Sequence, residues 1–295
     1  MSFASIHPNP LRTLIRKTFN AFMTGVTTAA ALFSTCILLI VLFYLASNGI
    51  HSLNTGIFTH GPTPMGTPGG GLRNGIIGTL ILLGIASVIG VPIGIMGGVY
   101  QIEAQGHFAF VVRFFTDVLN SIPSIVIGIF IYIVVVLPTA QRHPGQGFSA
   151  LAGGIALGIM MIPTVMRTTE EILRLIPSAL REGSLALGAT RWRTMVSIVL
   201  PAARAGIVTG IMLALSRIAG ETAPLLFTAF GNVDFNVDLH RPINALPLDI
   251  FYDATSPYEY LHHQAEAGAI ILIALITLMS LGARWAVRGK GWQSN

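Results

Sequence analysis

The sequence has little charge, very few lysines and a single cysteine. Only 10% of its 295 residues are charged, against about 25% in soluble domains, which argues against an ordinary soluble protein. The only lysines are Lys17 and Lys290, and neither stands in a G-x4-G-K-[ST] loop, so the chain has no P-loop for ATP. Cys36 has no partner for an intrachain disulfide or a cysteine metal site. The histidines form no H-E-x-x-H pattern, so we expect no metal and no hydrolase activity.

Long apolar runs separate the few charged residues. Hydrophobic residues make up 53% of the chain, and the mean hydropathy is +0.72. A membrane helix needs about 20 mostly apolar residues. Six stretches reach that length: 22–47, 74–99, 114–137, 148–167, 205–230 and 267–287. The first is longer than a signal-peptide core, so we expect an uncleaved anchor. The sequence therefore predicts an all-α, polytopic transmembrane helix bundle, with one transmembrane domain (22–287) between an N-terminal segment (1–21) and a C-terminal tail (288–295).

The basic residues are scattered but lie mostly on one side of the predicted membrane. A nucleic-acid surface needs clustered Lys and Arg, so we expect no nucleic-acid partner. If both termini are inside, the outer loops hold only Arg73, Arg142 and Arg241. The inner segments hold Arg12, Arg16, Lys17, Arg113, Arg167, Arg174, Arg181, Arg191, Arg193, Arg204, Arg284, Arg288 and Lys290. This asymmetry predicts cytoplasmic termini.

Acidic residues collect in the predicted outer loop between the fifth and sixth spans. They are Asp234, Asp238, Asp249, Asp253, Glu259 and Glu266. The loop from Val233 to Glu266 is either a docking surface for a soluble protein or an ordinary solvated loop.

Glycines recur one helical turn apart in three predicted spans. They are Gly90, Gly94 and Gly98, then Gly154 and Gly158, then Gly206 and Gly210. Small residues at this spacing let helix backbones approach closely in lipid. We expect them to pack the bundle without a further function.

A polar stretch between the fourth and fifth spans, residues 178–201, faces the cytoplasm in this orientation. Because Pro177 cannot continue a helix, we expect a short helix from Ser178 that closes near Gly188. Thr190 then caps a second short helix that runs toward Pro201. An apolar face on the first helix suits a groove on a soluble partner. The alternative is an amphipathic helix that lies on the membrane.

This stretch resembles the "EAA" coupling loop of ABC importer permeases. Glu182, Gly188 and Pro201 fall at the family's positions, whereas Gly183 and Ser184 replace two usual alanines. The resemblance implies a type I ABC importer permease fold, in which this helix docks on a nucleotide-binding subunit. The residues it implicates in ATPase coupling are Arg181, Glu182, Gly183, Ser184, Leu187, Gly188 and Pro201.

Two charges fall inside the fifth predicted span, where each costs about 2.5 to 3.5 kcal/mol. Arg217 and Glu221 are four residues apart, so on a continuous helix they share a face and can pair. A guanidinium also suits bidentate contact with phosphate or another oxyanion. Arg167, at the inner end of the fourth span, is a candidate second cation. The alternatives are a structural ion pair in the fifth span and an Arg167 that snorkels to the interface.

Four blocks resemble those of PstA-type permeases of bacterial phosphate importers. They are Leu72-Arg-Asn-Gly-Ile-Ile-Gly-Thr-Leu80, Ser121-Ile-Pro-Ser-Ile-Val-Ile-Gly-Ile-Phe130, Arg167-Thr-Thr-Glu170 and Arg217-Ile-Ala-Gly-Glu-Thr-Ala-Pro-Leu-Leu-Phe-Thr-Ala229. The resemblance implies that Arg217, Glu221 and Arg167 take part in phosphate passage. Arg217 would hold the anion transiently, and Glu221 would tune that arginine so that release remains possible.

The resemblance also implies the remaining components of the transporter. They are an ABC ATPase dimer that binds the ATP, a second permease of the PstC type and a periplasmic phosphate-binding protein. The chain itself would bind no cofactor and would contact membrane lipid in the bacterial inner membrane. The alternatives are a permease for sulfate, molybdate or phosphonate, and a scaffold or signalling subunit that does not conduct.

Overall fold

A computed structural model describes residues 10–63, 67, 69–104, 106–143 and 146–288. Most of the predicted C-terminal tail, with Lys290, and the first nine residues lie outside this part of the chain. In chain order its helices are α1 (Pro10–Ser52), α2 (Thr55–Thr59), α3 (Arg73–Glu103), α4 (His107–Ser121), α5 (Ser124–Ile131), α6 (Leu137–Arg142), α7 (Ala150–Arg174), α8 (Ser178–Ala186), α9 (Arg191–Thr194), α10 (Leu200–Ala219), α11 (Ala223–Leu226), α12 (Leu246–Ala254) and α13 (Glu259–Arg288). Single π-helical turns join α5 to α6 and α9 to α10.

Within the described part of the chain, six helical segments are long and apolar enough to cross a membrane, which confirms the predicted number. They are Leu11–Ser52, Arg73–Glu103, Ser124–Arg142, Ala150–Arg174, Arg191–Ala219 and Glu259–Ala286. The third begins at Ser124, later than predicted, because the extended backbone at Ile122 and Pro123 separates it from α4. The fifth ends at Ala219 rather than near residue 230.

The glycines of α3 and α7 bring these two helices into close contact. A Cβ on Gly90 would lie 2.8 Å from the Cβ of Met161, and one on Gly94 would lie 2.6 Å from the Cβ of Val165. A Cβ on Gly98 would lie 2.7 Å from the carbonyl oxygen of Met166. The expected packing role is therefore confirmed here, and the α3 and α7 pair forms the centre of the largest buried apolar cluster.

The fifth span packs against α7 on a face adjacent to α3, and its helix then ends. Gly206 and Gly210 of α10 contact Ile172 and Thr168 of α7. Beyond Ala219 the chain continues along α7 as turns and the short α11, until the carbonyl of Thr228 accepts a hydrogen bond from the amide of Ser149. The end of α10 thus lies beside the middle of α7.

The segment around α12 covers the first turns of α3. The amide of Leu246 donates to Thr79 Oγ1 at 2.8 Å, and Asn74 donates to the carbonyl of Val233 at 2.7 Å. A Cβ on Gly75 would overlap a carboxylate oxygen of Asp249. We call this end of the bundle the α12 end and the opposite one the α8 end.

Candidate functional site

Arg217 lies in the last turn of α10, and among the described residues it forms no ion pair with Glu221. Its Nη1 is 3.5 Å from Thr164 Oγ1, and the side chain is exposed. Gly220 caps α10, so Glu221 lies beyond the helix, and the expected pairing of the two charges on one helix face is wrong. Within the described residues Arg217 takes part in no ion pair. Most of its donors are therefore open to a ligand.

One face of α7 brings Arg217 and Arg167 onto the same side of the bundle. Thr164, Arg167, Thr168 and Glu171 follow the three- and four-residue spacing of a single helix face. Arg217 meets this face at Thr164, one turn from Arg167. The two arginines that the sequence singled out thus lie along one polar surface of α7.

Arg167 is held by carboxylates. Its Nη1 donates to Asp117 Oδ1 at 2.5 Å, and its Nε lies 3.6 Å from Glu171 Oε1. The side chains of Arg167 and Asp117 are 56% and 50% exposed, so solvent reaches the pair. The sequence pattern does not single out Asp117; the signal that could identify it is its position as the one acid of the amphipathic helix α4.

A second charged cluster anchors α4 to α7. A single oxygen of Glu170, Oε1, accepts from Arg113 at 2.7 Å and from Arg174 at 2.5 Å, and the Glu170 side chain is only 10% exposed. Together with the Asp117–Arg167 pair, these groups line a cleft of about 220 Å³. The cleft holds three arginines and three carboxylates, so its formal charge balances.

The stretch from 178 to 201 begins as the sequence predicts. Helix α8 follows Pro177 and ends before Gly188, which adopts a φ of +82°. Thr190 caps α9 by accepting from the amide of Arg193 at 3.3 Å. The second helix, however, does not stop before Pro201. It passes through the π turn Met195–Val199 into α10, whose first turn accommodates Pro201.

Two residues of α8 bond within the chain rather than facing outward. Ser184 is buried, and its hydroxyl lies 2.8 Å from Thr194 Oγ1, so the serine ties α8 to α9. Arg181 donates to the carbonyl of Leu173 at 3.1 Å and lies 3.5 Å from Glu103 Oε1. Arg181 therefore links α8 to the ends of α3 and α7.

Four other residues that the resemblance implicates in ATPase coupling are open to solvent. They are Glu182, Gly183 and Leu187, with Gly188 beyond them. Leu187 is 90% exposed, and a Cβ on Gly183 would meet no atom within 4 Å. This surface is free for contact with another chain.

The acidic loop at the α12 end is not uniformly exposed. Asp249 is buried: Oδ1 accepts from Asn244 at 2.6 Å, and Oδ2 has no partner. Burial raises the pKa of Asp249 to about 8 and that of Asp253 to about 6. Only part of the loop, including Asp234, can therefore offer negative charge to a soluble partner.

Comparison with known proteins gives a family match over most of the chain. The family described as "Binding-protein-dependent transport system inner membrane component" matches residues 90–289. A "Phosphate transport system permease protein PstA" of Yersinia pestis is 42% identical over 271 residues, which is 91% of this chain and 90% of that protein. The protein of the same name from Xylella fastidiosa is 42% identical over 286 residues, 96% of each chain.

Solved structures of importers share the fold at lower identity. A chain of a bacterial alginate ABC transporter, in complex with an alginate pentasaccharide-bound periplasmic protein, gives a TM-score of 0.63 at 15% identity; the match covers 93% of this chain and 96% of that one. A chain of the MetNI methionine ABC transporter in an inward-facing conformation gives a TM-score of 0.56 at 20% identity, over 74% of this chain and 93% of that one. At such identities the likeness shows the fold.

Proposed function

The chain belongs to the family of binding-protein-dependent transport system inner membrane components, with the type I ABC importer permease fold, and we propose that it is the permease subunit of an ATP-driven importer of inorganic phosphate. Relatives named as phosphate transport permeases are about 40% identical over most of the chain. They support phosphate as the solute. The protein is accordingly a multi-pass membrane protein.

The observation that carries this proposal is the open guanidinium of Arg217. It lies beside the middle of α7, where a charge is costly, and yet among the described residues its polar contact is one 3.5 Å approach to Thr164. A structural arginine would be paired at this depth. An arginine that receives an oxyanion keeps its donors free until the ligand arrives, and a guanidinium binds phosphate bidentately.

The family supports the partners and the orientation that we propose for the rest of the transporter. We place both termini and the α8 end in the cytoplasm, where the exposed surface of Glu182, Gly183 and Leu187 docks on an ABC ATPase dimer that binds the ATP. A periplasmic phosphate-binding protein docks at the α12 end. A second permease of the PstC type covers the exposed face of α7, and phosphate passes between the two permeases by alternating access.

Radiolabelled phosphate uptake tests the proposal. The chain is coexpressed with its partner permease and ATPase, reconstituted in liposomes and supplied with the phosphate-loaded binding protein. Hydrogen bonds to charged groups contribute about 1.5–3 kcal/mol, so Arg217→Gln should lower uptake about 10- to 150-fold. Arg284→Gln removes an exposed arginine of α13 and is the matched control, with uptake close to that of the parent.

Two results would contradict the proposal. Full uptake by the Arg217→Gln protein would remove Arg217 from the pathway and favour a scaffold or signalling role if phosphate signalling were altered. Efficient competition by excess sulfate in the parent protein would favour another oxyanion.

A further inference from the structure

Nη1 of Arg167 is already held by a carboxylate, whereas Arg217 takes part in no ion pair among the described residues and reaches Thr164 at 3.5 Å. The 2.5 Å contact to Asp117 is a charge-assisted hydrogen bond, whereas the 3.6 Å approach of Glu171 is too long to be one. Asp117 therefore supplies the main bond, and Glu171 adds negative charge beside it. An oxyanion that binds Arg167 through Nη1 must compete with the Asp117 carboxylate for that nitrogen.

The two arginines lie in sequence along the polar face of α7. Arg217 contacts Thr164, and Arg167 follows one turn nearer the α8 end. A solute that moves along this face from the α12 end meets the open guanidinium first and the occupied one second. An anion on this face thus meets Arg217 without a competing carboxylate, and then Arg167, where it competes with Asp117.

Resting on the function proposed above, we propose that Asp117 is a built-in competitor for phosphate at Arg167, displaced when phosphate arrives and returning to release it toward the cytoplasm. The exchange breaks and forms only ion pairs, and no covalent bond changes. A tethered carboxylate acts at an effective concentration in the millimolar range for short tethers. Phosphate at Arg167 is therefore held only briefly.

The anchoring of α4 explains why Asp117 can return to the same place. Arg113 lies one turn before Asp117 on α4, and its partner Glu170 lies one turn after Arg167 on α7. The two helices are thus joined by two ion pairs of opposite polarity. Because Glu170 is the less exposed carboxylate and binds two arginines, it keeps α4 in position while the exposed Asp117–Arg167 pair opens.

Equilibrium binding of radiolabelled inorganic phosphate tests the proposal directly. The purified complex of this chain with its partner permease and ATPase is used without ATP and without binding protein. Asp117→Asn removes the competing charge and keeps the side-chain volume, so the Kd for phosphate should fall at least five-fold. Uptake turnover should fall as well, because the anion is released more slowly. A merely structural role would lower uptake without tightening phosphate binding.

Controls separate this effect from other losses of charge. Glu103→Gln removes a carboxylate at another ion pair of the α8 end and should leave the Kd unchanged. In Asp117→Asn/Arg167→Gln the tightening should disappear relative to Arg167→Gln alone. Asp117→Glu should restore the parent Kd. If Asp117→Asn prevents assembly, Asp117→Ser serves as the second charge-removing variant.

Three outcomes are distinguishable. Unchanged phosphate binding by an intact Asp117→Asn complex would overturn the proposal, and so would a tightening that persists when Arg167 is replaced. If sulfate instead of phosphate binds more tightly in the Asp117→Asn complex, the ion exchange stands and the assignment of phosphate as the solute fails.

Discussion

Replacement of the buried acid Asp249 by asparagine should stabilise the protein at neutral pH and flatten its pH dependence. The unpartnered Oδ2 lies against α3, and the pKa rises from 3.8 to about 8. Between these two values the native protein keeps the proton, whereas the unfolded chain has lost it. The free energy of unfolding therefore falls as pH rises through this window. An asparagine mimics the protonated acid, and its Oδ1 can still accept from Asn244.

The loss of stability with pH follows from the range between the two pKa values of Asp249. Each pH unit inside it costs about 1.4 kcal/mol of stability, so the parent should lose about 1.4 kcal/mol from pH 6.5 to 7.5. For a chain of this size that corresponds to a fall in Tm of roughly 3 °C. Asp253, with a pKa of about 6, acts mainly below this interval. The Asp249→Asn protein should show no such loss.

Thermal unfolding of the purified complex at the two pH values measures the difference. Asp234→Asn, in an exposed part of the same loop, is the matched control and should keep the parent slope. An Asp249→Asn protein whose Tm falls as steeply as that of the parent would refute the reasoning, because the proton would then be bound elsewhere. A uniform loss of Tm without a change in slope would refute it equally.

Three further substitutions test the packing. Gly78→Ala places a Cβ against the carbonyl of Asn244 and should cost about 1–3 kcal/mol by overpacking, seen as a lower Tm; an unchanged Tm would contradict this contact. Glu170→Gln weakens the ion pair with Arg113 that holds α4 and the one with Arg174 within α7. It should cost about 1–2 kcal/mol, since both arginines are half exposed, and chemical denaturation that shows no loss would contradict the anchoring role of Glu170. Ser184→Ala leaves the Thr194 hydroxyl without its partner and should lower the free energy of unfolding by about 1 kcal/mol. It should also raise the number of ATP molecules hydrolysed for each phosphate carried, and an unchanged ratio would show that this hydrogen bond contributes to stability alone.

The sequence predicts the parts of the fold that depend on composition and spacing. Six apolar runs suffice for the spans because lipid requires continuous backbone hydrogen bonding. The glycine spacing of α3 predicts close helix packing, and Gly90 and Gly94 do contact α7. Gly188 and Thr190 carry standard helix-end signals, and both act as predicted.

The site itself depends on contacts that no local pattern reveals. The pairing of Arg217 with Glu221 assumed a continuous helix, whereas Gly220 ends α10, a signal that the apolar run concealed. Asp117 and Arg167 are distant in sequence, and their contact depends on how α4 crosses α7. The burial of Asp249 likewise depends on the docking of α12 against α3, so composition alone does not distinguish it from the exposed acids of the same loop.

The glycine contacts of α3 and α7 also limit how the protein can change shape. Met161 and Val165 occupy notches that glycines leave, so a slide of less than one turn, about 5.4 Å, would drive side chains into backbone. Packed helices switch between discrete arrangements rather than deforming gradually. The two helices must therefore move as a rigid body. We therefore expect the hinges for alternating access to lie outside the pair, at the helix ends after Ser121 and after Ala219.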